Sequence, residues 1–128
     1  MKQITKEMLK IYKPYSNLDW LNYKLVRSQL TFHHIEKKCD GGKEIITNGA
    51  LLMPTSHQYL HIIEYVDNDR YRTINKIFEF INKQQREPTQ DQRDILEYLL
   101  SEFEEQHRRD KTSKGKILIK REYMQRWK

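Results

Sequence analysis

Four of the chain's five histidines lie between Leu30 and His61, in the stretch LTFHHIEKKCDGGKEIITNGALLMPTSHQYLH. His33 and His34 are adjacent, and His57 and His61 are four apart. Neutral imidazole can ligate a divalent metal and can also accept a proton near neutral pH. On a helix, positions four apart share a face, so His57 and His61 can grip one ion together. On a strand, neighbours point to opposite faces, so His33 and His34 must do different jobs. If a hairpin carrying that pair packs on the first turns of the helix, one of the two completes a three-imidazole site. Three protein ligands with an open position describe a catalytic divalent-metal site, whereas a closed structural site takes four. A fourth ligand is not obvious, although Asp40 or Cys39 could be recruited. The remaining histidine is then free to act as a general base. A lone pair of helical histidines often arises by chance. Four histidines at spacings that let them converge form a stronger signal.

These side chains need a hairpin and a helix to hold them, and the flanking sequence supplies candidates. QLTFHHI (29–35) is β-branched and aromatic, as strands are. KKCDGG marks a turn, because glycine reaches backbone angles closed to other residues. KEIIT (43–47) reads as the return strand, and NGALLMP as a loop anchored by Leu51 and Leu52. A helix should begin near Pro54 to Ser56, since proline suits a first turn, and should end by Asp67. Before the hairpin, residues 3–12 read as a short helix stopped by Pro14, with Met8, Leu9 and Tyr12 on its buried side. Ser16 or Asn17 could cap a second short helix through Trp20 and Leu21, with Trp20 as a core anchor. After it, Asp67 or Asn68 can cap a helix in which Tyr71, Ile74, Ile77, Phe78 and Ile81 recur at helical spacing. Glu87 and Pro88 end it. Thr89 and Gln92 form a capping box for a long helix from 90 to about 109. Its stripe of Ile95, Leu96, Leu99, Leu100 and Phe103 reads as core packing, although it could equally serve a dimer. DKTSKGK is a polar break. ILIKREYMQRW could be a strand or a last helix. No internal repeat is visible.

With elements and spacings in place, the stretch resembles the HNH endonucleases, which share the ββα-metal fold. His33-His34, Asn48, His57 and His61 follow one another in that family's order, at steps of 14, 9 and 4 residues similar to the colicin-type branch. The local signature HHIEKKCDGGK…NGALL…H…H looks like small bacterial and phage members. The resemblance covers about residues 29–65. It implies an α+β, mostly helical fold with a ββα-metal core and flanking helices. It further implies metal ligation by His33, His57 and His61, and a general base at His34. Asn48 would be the brace whose amide pins the loop and aims that base, although Asn-Gly is also an ordinary turn signal. Glu64 could support a histidine from behind, or simply face solvent. The chain lacks the cysteine pairs that hold a structural zinc in many members, so the flanking helices must support the core.

The implied chemistry is metal-dependent hydrolysis of a nucleic-acid phosphodiester, with DNA as the first candidate. His34 would take a proton from the attacking water, and one divalent ion would stabilise the phosphate and the leaving 3′ oxygen. The product would carry a 5′ phosphate. Three imidazoles suit zinc or nickel, and related enzymes also work with magnesium or manganese. Below about pH 6, protonation of ligands and base should abolish binding and activity.

The totals bound this reading. The chain has 128 residues, enough for one domain (residues 1–128, with the motif at about 29–65, a helical extension over 68–109 and a basic tail over 106–128). Hydrophobic residues make up 37% and charged residues 33%, so the core is modest and much surface is solvated. One cysteine rules out an internal disulfide and a cysteine-based zinc knuckle. No apolar run approaches the ~20 residues of a membrane span. The N-terminus lacks a secretory apolar stretch, which makes the cytoplasm the default location. The net charge of +6 is concentrated after Gln106, where nine Lys or Arg face only Asp110 and Glu122. A basic tail on a near-neutral body suits a polyanion, and equally suits mere solubility. Lys37 and Lys38 are the first candidates for phosphate contact. Arg70, Arg72, Arg108, Arg109, Lys111, Lys114 and Lys116 follow. Such contacts position a backbone and do not read bases, so weak sequence preference is expected, or specificity lent by a protein partner. The alternatives are a catalytically silent HNH-like module that binds nucleic acid or protein, as a phage-encoded inhibitor might, and an RNA-cleaving toxin.

Overall fold

The computed structural model describes residues 1–13 and 16–107. The element order is α1 (Gln3–Ile11), β1 (Thr31–His34), β2 (Gly49–Leu52), α2 (Pro54–Val66), α3 (Asn68–Gln84) and α4 (Gln90–His107). The class is therefore α+β and mostly helical. All of the basic-tail segment after His107, with Arg108, Arg109, Lys111, Lys114 and Lys116, lies outside the described residues.

β1 and β2 form one antiparallel pair, with Thr31 opposite Leu52, Phe32 opposite Leu51, His33 opposite Ala50 and His34 opposite Gly49. The return strand is thus GALL and not KEIIT. All four GALL residues are buried, and a continuous apolar run is what a strand covered on both faces carries. Ile45, by contrast, is 47% exposed, and Ile46–Asn48 make a single tight turn. Gly49 is required by crowding: a Cβ there would run into the Phe32 ring and the Met8 sulfur. The connection consequently spans residues 35–48. It turns at Gly41, whose φ of 93° lies in the left-handed region.

The short helix expected after Ser16 is absent. Asn17 and Asn22 both take positive φ, 56° and 65°, which no right-handed helix accommodates. The segment is an open turn closed by a bridge between Leu18 and Lys24. The buried Asp19 organises it, accepting from Leu21 N at 2.8 Å and Tyr23 N at 3.0 Å. From the far side Arg93 donates to Asp19 O and Asn22 Oδ1. Trp20 is 2% exposed, the core anchor its sequence suggested.

The helices follow their sequence signals closely. Pro54 occupies the first turn of α2. Asp67 caps α3 by accepting from Arg70 N at 3.2 Å. The capping box at α4 closes as Gln92 N donates to Thr89 Oγ1 and Thr89 N to Gln92 Oε1. Tyr71, Ile74, Phe78 and Ile81 of α3 meet Leu96, Leu100 and Phe103 of α4 in one core that also takes Met8, Tyr12, Trp20, Leu51, Leu52 and Leu60. Ile95 of the expected stripe points outward and is 51% exposed. No helix among the described residues is long and apolar enough to cross a membrane.

Candidate functional site

α2 starts directly after β2, so its first turns lie beside β1. Asp19 fixes that junction, accepting from Met53 N at 2.8 Å and from Ser56 Oγ at 2.5 Å. His57, the next residue, is thereby set against the hairpin. His33 Nδ1 and His57 Nε2 approach to 3.3 Å, with their rings edge to face. His33 is 2% exposed and packs on Tyr71 and Phe78. Burial pushes its pKa down to about 4, with the neighbouring histidines adding to the effect. Burial likewise pushes His57 down to about 4, followed by His61 and His34. Both rings are neutral at pH 7, the form that binds metal.

Each ring also has a partner on its outer side. Thr31 Oγ1 gives its one hydrogen to Leu52 O at 2.7 Å. Toward His57 Nδ1, 3.2 Å away, it can therefore only accept. His57 thus carries its hydrogen on Nδ1 and turns a bare Nε2 to His33. His33 Nε2 lies 2.8 Å from Asn75 Oδ1 on α3.

The other two histidines stand around this pair. His61 stacks on His57, with centroids 4.9 Å apart and 22° between planes. Its Nδ1 faces Glu64 Oε1 at 3.3 Å, and burial lowers its pKa. His34 is half-buried, edge-on to Phe32 at 4.9 Å. It thus occupies the strand face opposite His33, as alternation requires, yet at the strand end it still lines the same cleft. That cleft, of about 290 Å³, is walled by His33, His34, Lys37, Lys38, His57, His61, Glu64 and Tyr71. Among the described residues, no three His, Cys, Asp or Glu side chains already converge on one point. Asp40 lines a neighbouring cleft of about 350 Å³, and Cys39 is exposed.

Asn48 closes the loop behind His34. Its Oδ1 accepts from Glu36 N at 2.8 Å, and its Nδ2 donates to Glu36 O and Lys43 O, both at 3.0 Å. Its backbone O accepts from Ile35 N. Asn82 of α3 anchors the same loop, donating to Ile46 O and Gly49 O at 2.7 Å.

The cations divide by place. Lys37 pairs with Glu64 and lies over the Tyr71 ring, 5.7 Å from its centroid. Lys38 and Arg72 are exposed. Arg70, named among the phosphate candidates, is differently employed. Its side chain is only 8% exposed and pairs with Glu102 at 2.7 Å and Asp67 at 3.5 Å. Its charge is taken up in joining α3 to α4. Thr31, Tyr71 and Asn75 are the site residues that sequence spacing missed. Thr31 and Asn75 carry no metal-ligand signal, and Tyr71 and Asn75 lie on a helix beyond the motif.

No protein-family model, curated protein or solved structure matches the chain.

Proposed function

We propose that this chain is a metal-dependent endonuclease with an HNH-like ββα core, formed by β1, β2 and α2, and that it hydrolyses phosphodiester bonds of DNA. The observation that carries the reading is the meeting of His33 Nδ1 and His57 Nε2 at 3.3 Å, in a cleft that His34 also lines. The donor set fits a divalent ion. Two tetrahedral ligands at about 2.0–2.1 Å from a metal lie about 3.3–3.4 Å apart, and burial keeps both rings neutral.

In this reading His33 and His57 hold the ion, with His61 as the adjoining third ligand. Zinc or nickel suits imidazole, and magnesium or manganese could serve activity. The ion would supply charge neutralisation at the reacting phosphate. His34 stands apart from the ligand pair and takes the proton of the attacking water, which forms the new bond to phosphorus as the 3′ oxygen leaves. Asn48 holds the backbone immediately after His34, so the base keeps its aim. Lys37, Lys38 and Arg72 draw the phosphate chain to the cleft without reading bases.

The test is cleavage of supercoiled plasmid with manganese, magnesium or zinc, beside His34→Ala. Cleavage by the wild type that the variant loses supports the reading. Retained cleavage by the variant removes His34 from the role of base. Binding of nucleic acid without cleavage under any metal points to a silent binding module, and cleavage of RNA alone to a ribonuclease.

A further inference from the structure

Asn75 lies outside the hairpin and the helix that carry the histidines. It sits on α3, 42 residues from His33, and is 9% exposed. We infer that Asn75 is a positioning residue: its amide oxygen accepts a hydrogen bond from His33 Nε2–H and so holds His33 in the tautomer whose bare Nδ1 faces His57.

A neutral imidazole carries one hydrogen, and an amide oxygen can only accept. With Oδ1 2.8 Å from Nε2, that hydrogen sits on Nε2 and Nδ1 is left bare. Opposite, Thr31 imposes the complementary tautomer on His57, whose bare nitrogen is Nε2. Two lone pairs therefore point at each other across 3.3 Å. Alone they repel; around a shared cation they become a ligand pair. Holding a ligand imidazole by its outer nitrogen is a general means of fixing its ring orientation. Here that hold comes from a helix beyond the motif, so docking of α3 is a condition for a competent site. The consequence for metal rests on the nuclease reading above; the tautomer does not.

The test is long-range proton–nitrogen correlation of the imidazoles in metal-free, ¹⁵N-labelled protein at pH 8. It is run on the wild type, Asn75→Asp and Asn75→Leu, together with zinc affinity by chelator competition. The wild type should show His33 as the Nε2–H tautomer alone. Asn75→Asp retains an acceptor and should keep that pattern. Asn75→Leu should give a mixture and bind zinc about 10- to 100-fold more weakly. If Asn75→Leu does not fold, Asn75→Gln, which keeps the amide but displaces its oxygen, should show the same loss. His33 found as the Nδ1–H tautomer in the wild type, or unchanged in Asn75→Leu, overturns the assignment. A wild type that shows the expected tautomer but binds no zinc upholds Asn75 and sinks the metal reading instead.

Discussion

Asn48 clamps Glu36 from both sides, accepting from its N–H at 2.8 Å and donating to its carbonyl at 3.0 Å. Because Glu36 is two residues past His34, this clamp sets the end of β1. Asn48→Ala deletes three side-chain hydrogen bonds, each worth about 0.5–1.5 kcal/mol net. Thermal unfolding should therefore show a loss of about 1.5–4.5 kcal/mol. If His34 is the base, as proposed, plasmid cleavage should fall further than nucleic-acid binding, because the backbone that aims it shifts while the cations stay. Equal losses in the two assays would mean that Asn48 only holds the fold together.

Asp19 is expected to be among the most sensitive positions. It is fully buried and accepts from four donors, two in its own turn and two at the start of α2. Asp19→Ala leaves those donors unpaired, and each buried unpaired group costs about 1–3 kcal/mol. Urea denaturation should show at least about 3 kcal/mol lost. A cost under about 1 kcal/mol would show that the junction before His57 is held by packing alone.

Arg70 and Arg72 are two residues apart and should behave oppositely. Arg70 is buried and pairs with Asp67 and Glu102, so Arg70→Ala removes both pairs and its packing and should destabilise the protein by about 1–3 kcal/mol. Arg72 is exposed, so Arg72→Ala should leave stability within about 0.5 kcal/mol. Arg72→Ala should instead weaken nucleic-acid binding evenly across sequences and reduce the salt slope by about one. Denaturation curves and salt-dependent binding isotherms for both variants check this. A salt slope unchanged in Arg72→Ala would take that residue out of the interface.

The sequence disclosed the helices better than the hairpin. Proline at the start of α2, Asp67 before α3 and the Thr89–Gln92 box are local signals, and local signals survive folding. The return strand was misplaced because KEIIT has the β-branched composition of a strand, whereas GALL does not. What chose GALL was tertiary: Gly49 fits between Phe32 and Met8, and Asn82 holds its carbonyl. Likewise, alternation and helical spacing put one of the two adjacent histidines against His57, and only the resemblance singled out His33. Asn75 was not legible, since an asparagine on a helix face carries no sign of the ring it will meet. His61 shows the same limit from the other side: spacing puts it on the face of His57, but Glu64 decides where its Nδ1 points.

Metal-free protein should lose stability in acid through His33. Its folded pKa, lowered by burial to about 4, lies below the ordinary value of 6.5. Between those limits the unfolded chain binds a proton that the folded chain refuses, so stability falls as pH drops from about 6.5 toward 4 and levels off below. For a shift of this size the effect is roughly 3 kcal/mol. Urea denaturation at pH 7, 5.5 and 4.5 checks it, with His33→Gln as reference because carboxylates titrate nearby. The variant should show a clearly shallower slope; parallel slopes would mean that His33 is not a buried neutral ring.

The adjacent histidines should separate cleanly by metal content. His33 turns inward to His57 and Asn75, whereas His34 lies on the other strand face against Phe32. His33→Ala removes one of the two facing nitrogens. Bound zinc should fall from about one equivalent to well under half, and cleavage should vanish with it. His34→Ala leaves the ligand pair intact. It should keep its zinc and bind nucleic acid normally, yet cleave about 10²- to 10⁴-fold more slowly, the usual contribution of a positioned general base. Imidazole added to His34→Ala should restore part of the rate, since a small base can enter a cleft of about 290 Å³. Mass spectrometry of native protein reads the metal, and single-turnover cleavage reads the base. If both variants lose zinc equally, the strand does not divide the two roles, and His34 belongs among the ligands.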